Sequence, residues 1–113
     1  MIPKRIPRKA KWAGTVYKIK KVSESQMPRT DDDEETIHHA YCDTEKTTIY
    51  ILKDLSLEAQ RSSFEHEGGH ASSEESGARA IMAKFTTNYM DLEEHLCRIW
   101  LPCFLDGLRT KVK

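Results

Sequence analysis

The chain has 113 residues, 38% of them hydrophobic and 32% charged, and its 18 basic and 18 acidic side chains cancel. That length accommodates one small domain with a thin core, and the composition is polar without being that of a disordered chain. No apolar run approaches the ~20 residues that a membrane span requires. The charged N-terminus is not followed by the apolar segment of a secretory signal. The three cysteines are odd in number and lack C-x-x-C spacing, so they read as thiols. The expected setting is therefore the cytoplasm, without membrane contact.

Charge is unevenly placed. Met1 to Val22 carries eight basic residues and no acid, whereas Ser23 to Glu45 carries eight acids and one base, Arg29. The first eleven residues, with two prolines, read as an extended basic arm, and residues 12–113 as a single domain. Trp12 to Val22 alternates with period two and is rich in β-branched residues, which predicts a strand; neither face is purely apolar, which predicts an edge position. Ser23 to Glu35, with Pro28 and the run Asp31 to Glu35, reads as a mobile loop. Thr36 to Cys42 and Thr47 to Leu52 are predicted to pair as an antiparallel hairpin turning at Asp43 to Lys46.

Ser56 is a plausible N-cap, with Glu58 in the first turn, for a helix from Leu57 to about Ala71. A second helix is predicted from Asp91 to about Leu108. Its apolar positions are Leu92, Leu96, Ile99, Trp100, Cys103 and Phe104, and Pro102 should kink or end a segment. The order of strand, hairpin, helix and helix makes a small α+β domain. A short antiparallel sheet would pack on the first helix, with a C-terminal helix beside it.

Phe64 to Ala71 reads FEHEGGHA and contains an H-E-x-x-H motif. On a helix, residues four apart share a face, so His66 and His70 can direct two imidazoles at one ion. Zinc takes neutral imidazole nitrogens and keeps three protein ligands at a catalytic site. Glu67 follows the first ligand and is placed to take a proton from an attacking water. The composition would yield the motif by chance in roughly one such sequence in fifty, so its position on a predicted helix directly after a strand strengthens it. Gly68 and Gly69 fill both variable positions at a cost of about 2 kcal/mol relative to alanines, so either a backbone or substrate approaches closely there or the helix is poorly determined.

A third ligand is sought in Glu93 and Glu94, at the start of the last helix. Glu93 shares a face with Leu96 and Trp100, whereas Glu94 lies with Arg98 and Leu101, about 100° away. Glu93 is favoured and Glu94 is the alternative. Glu74, Glu75, Asp91 and His95 are weaker candidates. His38, His39 and Cys42 form another cluster, but adjacent strand histidines face opposite ways and read better as polar residues near the cleft. Cys97 and Cys103 read as packing residues.

The segments CDTEKTTIYILKDLSLEAQRSSFEHEGGHA and LEEHLCRIWLPCFL together resemble small zincin-like metallopeptidases of the ImmA/IrrE type, including compact phage- and prophage-encoded relatives. The resemblance covers roughly residues 14–105. It implies zinc bound by His66, His70 and Glu93 or Glu94, with Glu67 as the base, and departs from the family at Gly68, where a bulky apolar residue is usual. The implied function is zinc-dependent hydrolysis of peptide bonds in a protein substrate, by a phage-encoded protein acting in a host cytoplasm. The alternative is a non-catalytic, zinc-stabilised module that captures a host protein or nucleic acid. Any nucleic-acid contact is expected to be weak and to run through residues 1–21. A monomer is expected.

Overall fold

The computed structural model describes residues 6–28 and 39–109, which form an α+β domain. Four strands, β1 (Lys9–Trp12), β2 (Thr15–Val22), β3 (Ala40–Asp43) and β4 (Thr48–Leu52), lie in the order β1-β2-β4-β3. The stretch expected to be one strand from Trp12 is instead the turn and second arm of a hairpin. Ala13 and Gly14 both have positive φ, 48° and 89°, as a tight two-residue hairpin turn requires. Lys9 to Trp12 pair with Lys18 to Thr15, so the expected basic arm is in part an edge strand.

The expected hairpin is present: β3 and β4 pair antiparallel, with Tyr41 opposite Tyr50. Asp43 Oδ1 accepts the Lys46 N–H at 3.0 Å in the loop between them. Thr36 to His38 lie outside the described residues, as does most of the expected acidic loop. Its described beginning holds a 3₁₀ turn, Glu24–Gln26, followed by Met27, which is buried against Val22 and Leu52. The sheet is mixed rather than antiparallel, because β4 lies parallel to β2. This places β4, the most apolar strand, at the centre.

One face of the sheet carries Tyr17, Ile19, Ile49 and Ile51, and the long helix α1 (Leu57–Glu75) crosses it. Tyr17, Ile49 and Ile51 are fully buried, each worth about 1.5–3 kcal/mol of apolar burial. Ser56 caps α1 by accepting the Ala59 N–H at 3.1 Å. Near its other end, Glu75 accepts hydrogen bonds from Tyr17 at 2.9 Å and Thr15 at 3.1 Å, pinning the helix to β2.

The two glycines have a packing explanation. A Cβ on Gly68 would stand 2.9 Å from the Trp12 ring, and one on Gly69 would stand 2.8 Å from both Cys97 Sγ and Leu101 Cδ2. The missing side chains let β1 on one side and the C-terminal layer on the other reach the helix backbone.

That C-terminal layer comprises α2 (Ala78–Phe85), α3 (Tyr89–His95), a π-helical turn (Leu96–Trp100) and α4 (Leu101–Arg109). Helix α2 was not anticipated from the sequence. The π turn, in which the Leu101 N–H donates to the Leu96 carbonyl, immediately precedes Pro102. Proline has no N–H and its ring crowds the carbonyl four residues back, and a widened turn relieves both. The last helix does not bury the face expected of it. Leu92, Leu96, Ile99, Trp100, Cys103 and Phe104 are exposed, while Glu93 and Cys97 are buried and Leu101 is half-buried. No helix among the described residues is long and apolar enough to cross a membrane.

Candidate metal centre

The histidines of the motif lie in the second half of α1, on the flank facing β3 and α3. Their rings are 5.0 Å apart, centroid to centroid. Glu94 of α3 spans them: His66 Nε2 is 3.0 Å from one carboxylate oxygen and His70 Nε2 is 3.0 Å from the other. One ligand atom from each of His66, His70 and Glu94 can be chosen so that all lie within 4.8 Å of one another. Two imidazole nitrogens and a carboxylate suit zinc, for which a catalytic site uses three protein ligands. Among the described residues this is the one three-ligand group.

Glu93, the acid favoured from the sequence, is not in that group and lies behind it, on the Nδ1 side of His70. It is 1% exposed, and its oxygens accept hydrogen bonds from His70 Nδ1 at 2.6 Å, Ser73 Oγ at 2.8 Å, and Arg79 Nε and Nη2 at 2.8 and 2.6 Å. Burial works to raise its pKa, but the bonds from Arg79, His70 and Ser73 prevail and hold it down at about 2. The two acids therefore sit on opposite nitrogens of the same imidazole. Helix phase decides this: Glu93 continues the buried line through Cys97 and Leu101, and Glu94 the line through Arg98, whose guanidinium donates to it at 3.1 Å.

Burial lowers the pKa of His66 against the pull of Glu94, favouring the neutral imidazole that a metal binds. Burial also works to lower that of His70, but contacts with Cys97 and Glu93 outweigh it and raise it to about 10. A metal loading this site would therefore displace a proton from His70.

Glu67 lines the same cleft, which encloses about 1040 Å³ between α1, β3 and α3. Burial, opposed by His70 and reinforced by Glu94, raises its pKa to about 7, in the range that suits a general base at neutral pH. The remaining walls include His39, Cys42, Asp43, Arg79 and Arg98. Cys42 is pushed up to about 12 by burial and the nearby Glu67 carboxylate, so it is not a thiolate nucleophile. His38 lies outside the described residues. Of the weaker candidates, Glu74 pairs with Arg79 at 3.0 Å and Glu75 bonds to β2, while Asp91 and His95 are exposed.

No family profile, curated protein or solved structure matches this chain. What the site can do rests on its geometry. Sequence reasoning did not single out Arg79. An isolated arginine 14 residues before its partner carries no local signal.

Proposed function

We propose that the chain is a zinc-dependent metallopeptidase acting on a protein substrate, with His66, His70 and Glu94 as metal ligands and Glu67 as general base. The observation that carries this reading is the convergence of His66, His70 and Glu94 in a cleft that Glu67 also lines. Zinc, when bound, supplies Lewis-acid activation of water and of the scissile carbonyl. Glu67 takes the proton from the attacking water and returns it to the leaving amine. Phage origin and action in a host cytoplasm belong to the same proposal.

The test is Glu67→Gln, which keeps the shape of the side chain and removes the base. Zinc content should be unchanged, while hydrolysis of a mixed fluorogenic peptide library should fall by about 100-fold or more. Undiminished hydrolysis in the variant would remove Glu67 from the mechanism, and a zinc-loaded wild type that cleaves nothing would favour a non-catalytic module.

One observation supports that second reading. Lys9 and Lys18 sit directly opposite each other on the sheet face away from α1, and Lys20 lies two residues further along β2. All three are exposed, and none takes part in the ion pairs described. Like charges directly across a strand pair repel each other, and a polyanion would relieve that repulsion. Binding to DNA or RNA that weakens steeply with salt, and that is lost when the three lysines become glutamine, is the expected signature. Binding that survives their replacement would place the contact elsewhere.

A further inference from the structure

Glu93 presents a problem in electrostatics. A carboxylate this deeply buried costs several kcal/mol unless charge and hydrogen bonds compensate it. Here each oxygen accepts two bonds: Oε1 from His70 Nδ1 and Arg79 Nη2, Oε2 from Ser73 Oγ and Arg79 Nε. Arg79 approaches side-on with two parallel bonds, the strongest geometry available to this pair. The acceptor sites are thereby filled, so Glu93 has no lone pair to offer a metal. Its partners come from two elements, His70 and Ser73 from α1 and Arg79 from α2, and Glu93 itself stands on α3.

We propose that Glu93 is the positioning residue of the metal site: it accepts the hydrogen bond of His70 Nδ1–H, so that Nε2 faces Glu94 and the ion, and Arg79 locks Glu93 in place. This inference rests on the metal-site reading above. The ionised carboxylate is an acceptor only, so the ring nitrogen 2.6 Å away must be the donor. With one proton held on Nδ1, the proton that a metal displaces is the one on Nε2, the nitrogen that lies 3.0 Å from Glu94, and its loss leaves the lone pair there. A ring held by its second nitrogen keeps its orientation when the metal leaves, and a carboxylate behind it makes it a better donor. Glu93 and Glu94 thus divide the work by helix phase, one acting behind the histidine and the other in front.

The experiment uses the full chain with ¹⁵N-labelled histidine. In the metal-free wild type, His70 should show a downfield Nδ1 proton that exchanges slowly with solvent. On addition of zinc, the Nε2 resonance should shift while the Nδ1 proton persists. Metal binding through Nδ1, or an Nδ1 proton that exchanges freely, would overturn the proposal without any variant. Glu93→Gln, with its fold checked by circular dichroism, should move that proton upfield and weaken zinc binding by about ten-fold or more in competition with a chelator. A purely structural Glu93 predicts a lower melting temperature with unchanged zinc affinity, and that result would also overturn the proposal. If the wild type takes up no zinc, the metal-site reading fails. The Nδ1 proton still decides the clasp: slow exchange lost in Glu93→Gln upholds it, and free exchange in the wild type refutes it.

Discussion

The two halves of the domain are held together differently. In the sheet and α1, Tyr17, Ile49, Ile51 and Ala71 are completely shielded from solvent. In α2, α3 and the π-helical turn, the buried residues are Glu93 and Cys97, while Ile81, Phe85, Ile99 and Trp100 are all more than half exposed. The first half is a conventional apolar core. The second is attached through the Gly69 contact and the Glu93–Arg79–His70 clasp. The candidate metal site straddles the boundary, with two ligands from the apolar-cored half and one from the polar-fastened half. A metal there would act as a staple as well as a cofactor.

The comparison breaks most visibly if the metal is removed. Chelation, or His66→Ala, should strip the zinc and lower the melting temperature by about 10 °C or more, the scale expected when a ligand present at a hundred times its dissociation constant is lost. Hydrogen exchange should quicken in Ala78–Arg109 before it quickens in the strands. Uniform loss of protection would mean that the halves are not distinct. His39→Ala should leave zinc in place, since His39 lines the cleft without belonging to the three-ligand group.

The adjacent acids sharpen the comparison. Glu94→Gln should weaken zinc binding by about 100-fold, as loss of a direct ligand, and Glu93→Gln by about ten-fold, as loss of a positioning partner. A competition titration orders them, and the reverse order would put the ligand on the wrong side of His70.

A smaller effect concerns Glu67 in metal-free protein. Its pKa is raised from an ordinary 4.5 to about 7, so the folded state holds the proton more tightly than the unfolded chain. The sign follows: this carboxyl costs no stability below the unfolded value and progressively more as pH rises through about 7. Glu67→Gln should therefore match the wild type at pH 4 and exceed it at pH 8, by on the order of 1–3 kcal/mol. Thermal melts across that range decide it, and equal stability at both ends would show Glu67 to be better solvated than its burial implies.

The smallest effects separate the two glycines. Each alanine gains about 1 kcal/mol of helix propensity but forces a shift in its neighbours costing typically ~1–3 kcal/mol. Gly68→Ala pushes on Trp12 and should lower stability with zinc affinity intact. Gly69→Ala pushes on Cys97 and Leu101 and should disturb the helix that carries Glu94, lowering affinity as well. Equal zinc affinity in the two variants would remove the link between Gly69 and the site.

What could be read in advance was local. The H-E-x-x-H spacing, the Ser56 cap and the alternation around Thr47 to Leu52 are each contained within a few residues, and they suffice for the α+β class and for two of the site histidines. The parallel pairing of β2 with β4 depends on residues some thirty apart and leaves no local trace. Ala13–Gly14 was hidden because the alternation continues across the turn. The last helix misled for a physical reason. Its apolar stripe through Leu96, Ile99 and Trp100 is on the exposed side, so hydrophobic periodicity pointed away from the face that packs on α1. Choosing between Glu93 and Glu94 depended on that face, and on an arginine in a helix that had not been anticipated.

The central claim is a single zinc held by His66, His70 and Glu94. The most direct measurement is the metal content of untagged protein by elemental mass spectrometry, with wild type, His66→Ala and Glu94→Gln prepared side by side and dialysed against a weak chelator. The account predicts one zinc per chain in the wild type and little in either folded variant. A wild type without zinc, or variants that retain it fully, would contradict it.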